Sequence, residues 1–85
     1  MVDKPIIYTQ HALAVLAERK IDRHWIERTT IAPEWTEQDP LDTTIVRRFA
    51  MVPERKNRYL RVVCVETNDY IRIISAFLDR RARPK

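Results

Sequence analysis

The stretch RYLRVVCVETNDYIRIISAFL, residues 58–78, decides the fold of this 85-residue chain. Residues 58–66 and 70–78 are rich in β-branched and aromatic residues, and apolar positions alternate with others as in half-buried strands. Only residues 67–69 separate the two segments, so an antiparallel hairpin is predicted, with Asn68-Asp69 as its two-residue turn.

The alternation assigns the hairpin's side chains to two faces of a sheet. One face is almost wholly apolar and is predicted to pack on helices: Leu60, Val62, Cys64, Ile71, Ile73, Ser75 and Phe77. The other face is predicted to carry Tyr59, Arg61, Val63, Val65, Arg72, Ile74, Ala76 and Leu78. With the predicted turn, Arg61 pairs with Ala76 and Val65 with Arg72. Arg61 and Arg72 then lie about 13 Å apart, a span that suits two points on a nucleic-acid backbone.

Two helices are predicted before the sheet. Thr9 is a good N-cap for a helix from Gln10 to Arg19, and Asp22 caps a second from Arg23 to about Ile31. The predicted buried positions are Ala12, Leu13, Leu16 and Ala17 in the first helix and Trp25, Ile26 and Thr29 in the second. The remaining extended segments are a short strand or lead-in at 6–8, an edge strand at 34–38 and a strand at 43–52.

The predicted fold class is therefore α+β, with two N-terminal helices followed by a twisted antiparallel sheet of three to four strands. Residues 1–85 are predicted to form a single domain, of which residues 79–85 are a basic C-terminal tail.

Composition excludes several function classes. The chain has no glycine, so loops that cradle phosphate with backbone amides, as in Walker and Rossmann sites, are excluded. Only His11 and His24 are histidines and no Cys/His cluster has zinc spacing, so neither a metal nor a cofactor is predicted. No apolar run is long enough for a membrane span. The single cysteine, Cys64, is predicted to be a buried, inert thiol, and a reducing cytoplasm is the expected location.

Positive charge is concentrated in the second half of the chain. Residues 1–40 carry a net charge of −2 and residues 41–85 a net charge of +6, within the overall +4. Such asymmetry indicates a polyanionic partner. The tail arginines Arg80, Arg81 and Arg83 are predicted to contact a nucleic-acid backbone or to dock a protein partner. The alternative is a solvated tail with ordinary surface charges.

Two motifs resemble known families. Residues 9–13, TQHAL, followed by Glu18-Arg19 and Ile21, resemble the opening of small bacterial DUF4258 domains, whose pattern is His-Ala, a basic residue four positions after the histidine, and then Arg-Gly-Ile. Residues 61–63 and 71–76 resemble the last hairpin of BrnT-type toxins, within the wider RelE/ParE-like group. The resemblance runs from about Ile7 to Arg83.

Three positions depart from these patterns. Val15 stands at the basic position, Lys20 replaces the glycine, and Phe77 stands where BrnT-type chains usually have an arginine.

The resemblance implies helices followed by a twisted antiparallel sheet, and a metal-independent endoribonuclease silenced by an antitoxin encoded beside it. RNA is then the substrate, with the ribosome as one setting for cleavage. The resemblance carries roles over to His11, Arg19 and Arg72. Cleavage without metal needs proton transfer and cations around the phosphate, so His11, Arg19, Arg61 and Arg72 are predicted to converge on one groove.

Other interpretations stay open at this point. The chain could be a non-catalytic domain that binds nucleic acid, or an acidic protein partner, through a basic sheet face. His11 could bond the backbone near the helix start, Arg19 could pair with Asp22 or Glu18, and the sheet arginines could pair with Glu66.

Overall fold

A computed structural model describes residues 4–84, so residues 1–3 of the predicted domain and Lys85 of the predicted tail lie outside the described range. The elements, in chain order, are β1 (Ile6–Tyr8), α1 (Gln10–Arg19), α2 (Arg23–Ile31), β2 (Trp35–Gln38), β3 (Ile45–Val52), a 3-10 turn (Pro53–Arg55), β4 (Arg58–Glu66) and β5 (Ile71–Asp79). The α+β class is confirmed.

The strands form one five-stranded sheet in the order β1-β5-β4-β3-β2. β2 to β5 are antiparallel neighbours, but β1 runs parallel to β5, with Ile6 opposite Ile71. The prediction of an antiparallel sheet of three to four strands was therefore wrong in strand count and in the direction of β1. Local patterns could not reveal this pairing, because β1 has three residues and its partner lies at the other end of the chain.

Both helices begin at the predicted caps. The Thr9 side chain accepts a 3.0 Å hydrogen bond from the Ala12 backbone N–H, and the Asp22 side chain accepts one of 2.8 Å from His24. The buried face of α1 is rotated relative to the prediction. Val15 is buried with Ala12 and Leu16, whereas Leu13 is 44% exposed and Ala17 is exposed.

Lys20 ends α1 in the left-handed conformation, with φ at 56° and its N–H bonded to the Leu16 carbonyl. This conformation favours glycine, the residue that the DUF4258 pattern places there.

We expect Lys20→Gly to raise the free energy of unfolding by about 1 kcal/mol, measured by urea denaturation. Ala14→Gly, at an exposed position within α1, should lower it by about 1 kcal/mol. A Lys20→Gly protein no more stable than the parent would contradict this assignment of strain.

The main core lies between the helices and one face of the sheet. Its members are Ala12, Leu16, Ile21, Ile26, Val52, Leu60, Val62, Cys64, Ile71, Ile73 and Ala76. Strand positions between these residues, including Arg61 and Arg72, point to the opposite face, called here the open face. Cys64 is buried, as predicted, and its burial raises the pKa of the thiol, which disfavours the reactive thiolate.

An irregularity in β5 changes the predicted faces. Val65 pairs with Arg72 as predicted, but the register shifts between Val63 and Cys64, and Arg61 pairs with Phe77 instead of Ala76. One extra residue at a β-bulge exchanges the faces of all positions beyond it. Ala76 and Leu78 therefore pack toward the helices, and Phe77 lies on the open face beside Arg61. Uninterrupted alternation, which the prediction assumed, was wrong for the second half of β5.

The C-terminal segment folds back onto the open face instead of forming a free tail. Asp79 is the last residue of β5 and is buried, and its carboxylate accepts a 2.9 Å hydrogen bond from the Arg81 N–H. Ala82 is also buried, and it lines a cavity of about 270 Å³ together with Trp35 and Phe49. Residue 79, where the basic tail was predicted to begin, is thus the last residue of β5.

Candidate anion-binding site

Arginines from four segments of the chain line one cavity of about 530 Å³, called here the arginine cavity. Its lining residues are Arg19, Ile21, Arg55, Arg58, Phe77, Leu78 and Arg80. Among residues 4–84, the lining set contains four guanidinium groups and no carboxylate. Guanidinium groups bind phosphate and carboxylate oxygens with paired N–H donors, so the cavity is suited to an anion.

Arg19 is fixed at the sheet edge by two contacts. Its Nη1 donates a 3.1 Å hydrogen bond to the Ala76 carbonyl, and its guanidinium carbon lies 5.6 Å from the centre of the Phe77 ring. β1 pairs with residues 71–73 of β5, so among residues 4–84 no strand lies beside this edge of β5 near Ala76. Arg19 therefore occupies the edge position that a longer β1 would have filled.

Arg55, like Arg19, is held in place by two contacts. Its Nη1 donates a 3.2 Å hydrogen bond to the Lys20 carbonyl, and its guanidinium carbon lies 5.8 Å from the Trp25 ring centre. These contacts join the connection between β3 and β4 to the junction of the two helices. The cavity is thereby bounded by segments that are distant in sequence.

Arg58 and Arg80 are exposed, and within residues 4–84 neither side chain has an ion pair or a hydrogen bond. The nearby Glu54 does not neutralise them, because Arg28 holds it through two hydrogen bonds of 3.0 and 3.1 Å. The bonds from Arg28 keep the pKa of Glu54 below its usual range. Two guanidinium groups with all their donors available therefore face the cavity.

Backbone strain is concentrated around the arginine cavity. Across the part of the chain that the structure describes, the non-glycine residues with positive φ are Lys20, Lys56 and Asn57, at 56°, 58° and 60°. Lys20 lies between two lining residues, and Lys56-Asn57 lie between Arg55 and Arg58. Strained backbone of this kind occurs preferentially at functional sites.

Comparison with protein families decides the membership of the chain. A family model described as "Domain of unknown function (DUF4258)" matches residues 8–78. The chain belongs to the DUF4258 family. No curated protein and no solved structure matches it. The predicted membership is confirmed, while the link to BrnT and RelE-like toxins rests on the sequence resemblance alone.

The structure of this DUF4258 domain places the predicted site residues in different regions. Arg19 and Arg80 line the arginine cavity, and Arg61 approaches the same Phe77 ring as Arg19, with its guanidinium carbon 4.8 Å from the ring centre. Arg61 is also paired with the buried Asp79. Of the four predicted catalytic residues, Arg19 and Arg61 are the two that lie at the same side chain, the Phe77 ring.

His11 and Arg72 lie away from that contact. His11 is exposed in the first turn of α1, and its side chain has no hydrogen bond with any residue in the range 4–84. Arg72 is exposed on the open face, so the sheet separates it from the helices. Of the predicted groove formed by His11, Arg19, Arg61 and Arg72, the contacts among residues 4–84 join Arg19 with Arg61 at the Phe77 ring and do not include His11 or Arg72.

The three predicted tail arginines line two different cavities. Arg80 faces the arginine cavity, whereas Arg81 and Arg83 line the smaller cavity on the open face. Arg83 donates 3.1 Å hydrogen bonds to the carbonyls of Arg80 and Ala82. The suggested pairing of sheet arginines with Glu66 is not found for Arg61 or Arg72, since Glu66 binds Lys4 and Arg48, each at 2.6 Å.

Sequence reasoning missed Arg55 and Arg58. Arg55 lies in residues 53–57, which were interpreted only as the link between two strands, and Arg58 is the first residue of the strand predicted at 58–66. The three cations in residues 55–58, Arg55, Lys56 and Arg58, were the available signal.

Two negative observations complete the site description. In residues 4–84, no set of three or more histidine, cysteine, aspartate or glutamate side chains is placed to hold a metal ion. The helices of that same range are too short or too polar to cross a membrane.

Proposed function

We propose that this DUF4258 protein binds RNA through the arginine cavity. The observation that carries the proposal is the meeting of Arg19, Arg55, Arg58 and Arg80 around one cavity, to whose lining residues 4–84 contribute no carboxylate. Cations gathered in this way release counterions from a phosphate backbone, which is the main source of affinity for nucleic acids. The unpaired Arg58 and Arg80 can form such contacts without first breaking an internal ion pair.

Binding is better supported than cleavage. Metal-independent cleavage of RNA needs groups that exchange protons near neutral pH, and histidine is the side chain best suited to this. The ionisable side chains of the cavity lining are all arginines, which stay protonated. His11, at the start of α1, is not among the lining residues.

Endoribonuclease activity, as in a toxin controlled by an antitoxin, remains a hypothesis that rests on the BrnT-like motif of residues 71–76. Its test is incubation of the purified protein with a long RNA, with and without a chelator, beside a His11→Ala variant. Fragments that persist with the chelator and disappear in the variant would support the hypothesis. RNA that stays intact with and without the chelator would contradict the endoribonuclease hypothesis and leave RNA binding as the proposed function.

Docking of an acidic protein on a basic sheet face has less support. Three arginines of β3 to β5 lie on the open face, and two of them are internally paired: Arg47 with Asp39 at 3.1 Å, and Arg61 with Asp79. Two of these three charges are therefore paired, while Arg81 and Arg83 of the C-terminal segment add positive charge to the same face. Arg72 alone of these three has no ion pair within the described residues.

The expected result of removing the two unpaired cavity arginines is a large loss of RNA affinity. We expect Arg58→Gln/Arg80→Gln to weaken binding of a short, fluorescently labelled single-stranded RNA by about 10- to 100-fold at low salt. The slope of log affinity against log salt concentration should fall by about 1.4, or roughly 0.7 for each lost contact. Fluorescence anisotropy at several salt concentrations measures both quantities.

The matched control is Arg23→Gln/Arg72→Gln. It removes the same charge from two exposed sites, one on α2 and one on the open face. We expect less than about a 3-fold change. Equal losses in the two double variants would show that only net charge matters, and a larger loss in the control would place binding outside the arginine cavity.

A further inference from the structure

The floor of the arginine cavity is apolar. Besides the four arginines, the lining residues are Ile21, Phe77 and Leu78, called here the floor. Ile21 is buried and belongs to the main core, and Leu78 packs against that core. A site for phosphate alone needs cations and N–H donors but no apolar surface, so the floor indicates a ligand with an apolar part beside its anionic group.

We propose that the arginine cavity holds one unstacked nucleotide of a single-stranded RNA, with its phosphate on Arg58 and Arg80 and its base against the apolar floor. The inference rests on the proposed function and adds the form of RNA that the site accepts. A base within a duplex is stacked and paired, so it cannot enter the cavity while the duplex is intact.

The dimensions of the cavity agree with one nucleotide. Its volume of about 530 Å³ falls within the range of small-molecule sites, roughly 300 to 1,000 Å³. A bare phosphate would leave most of that volume and the whole floor without contacts. A longer stretch of RNA would extend beyond the cavity, with its neighbouring phosphates near the adjacent Lys56.

The four arginines divide into two pairs with different roles. Arg19 and Arg55 are held by backbone carbonyls and lie near aromatic rings, so they form walls whose guanidinium planes can stack on a base. Arg58 and Arg80 have no ion pair or side-chain hydrogen bond among residues 4–84, so their side chains can reorient to bind a phosphate. Because the walls are already fixed, little ordering of the protein opposes binding.

The test compares three ligands by fluorescence anisotropy on the full chain: a short single-stranded RNA, a sugar-phosphate strand of equal length without bases, and the duplex of the same RNA. We expect the single strand to bind about 5- to 100-fold more tightly than the abasic strand, which is the effect of one stacked base. The duplex should also bind more weakly than the single strand. This comparison needs no variant, so it does not depend on whether a mutated floor still folds.

A variant of the floor gives a second measurement. Leu78→Gln places a polar group on the floor, and we expect it to reduce the preference for the single strand over the abasic strand at least 3-fold. Leu13→Gln, at an exposed position of α1 that does not line the cavity, is the matched control and should keep the preference. Circular dichroism establishes that each variant is folded.

The outcomes separate this inference from the proposed function. Equal affinity for the single strand and the abasic strand, or tighter binding of the duplex, would overturn the inference and leave RNA binding through the arginines standing. Failure to bind any of the three ligands would overturn both.

Discussion

Replacing Phe49 with alanine is expected to lower the free energy of unfolding by about 3 to 5 kcal/mol, the usual cost of removing a buried aromatic ring. Phe49 is 2% exposed although it lies on the open face of the sheet. Its ring stacks on that of Trp35, with centroids 4.7 Å apart and planes 7° apart, and the Arg61 guanidinium carbon lies 5.4 Å from its centre. The substitution would therefore leave a cavity and remove a stacked pair.

Urea denaturation followed by circular dichroism measures this effect. Met51→Ala is the matched control, since Met51 lies on the same strand and face but is 37% exposed. We expect it to cost less than about 1 kcal/mol. Similar losses in the two variants would show that the aromatic layer on the open face does not act as a second core.

Asp79→Asn is expected to lower the free energy of unfolding by about 2 to 3 kcal/mol. The Asp79 side chain is 9% exposed and pairs with Arg61, whose side chain is 26% exposed. A neutral amide would leave the Arg61 charge half-buried without a counter-charge, and it would weaken the bond from the Arg81 N–H. Adding Arg61→Met should recover part of the loss, because the unpaired charge is then gone.

The difference in unfolding free energy between wild type and Asp79→Asn should depend on pH. Burial alone would raise the pKa of Asp79, but the bonds from the Arg81 N–H and from Arg61 outweigh it and hold this pKa below its ordinary value of 3.8. A carboxyl whose pKa is lowered by folding stabilises the fold above its unfolded-state pKa, and this contribution is lost as the pH falls through the folded-state pKa. The stability gap between wild type and Asp79→Asn should thus be constant above about pH 4 and narrow below it.

Asp69→Asn is the control for this measurement. Asp69 is exposed, and its carboxylate has no hydrogen bond with any residue from 4 to 84. We expect little change in stability at any pH. An Asp79→Asn gap that persists unchanged into acid would show that the charge of Asp79 does not contribute, and that the loss comes from packing.

Local signals in the sequence predicted the helices and one complete strand. The side chains of Thr9 and Asp22 bond backbone N–H groups in the first turns of α1 and α2, so the helix starts depend only on residues a few positions apart. β4 was predicted with its observed bounds, because alternation over residues 58–66 is a property of that segment alone. The DUF4258 membership was also available from short motifs near His11.

Contacts between segments that are distant in the sequence could not be predicted from such local patterns. The bulge between β4 and β5 moved Phe77 to the open face and Ala76 into the core, although the hairpin itself was predicted. The groove predicted from the sequence comprised His11, Arg19, Arg61 and Arg72. Neither Arg55, in the link at 53–57, nor Arg58, the first residue of the strand predicted at 58–66, was predicted to lie beside Arg19, because that arrangement depends on the fold.

The amino-acid sequence by itself determined where the helices start, that a hairpin follows them, and that positive charge is concentrated in the second half of the chain. These properties depend on caps, alternation and composition, which act over a few residues. Only the tertiary structure decided that β1 joins β5 in parallel, that Ala82 is buried on the open face, and that Arg19, Arg55, Arg58 and Arg80 meet. The reason is physical: these contacts join segments far apart in the chain, and their geometry exists only after the sheet has closed over its core.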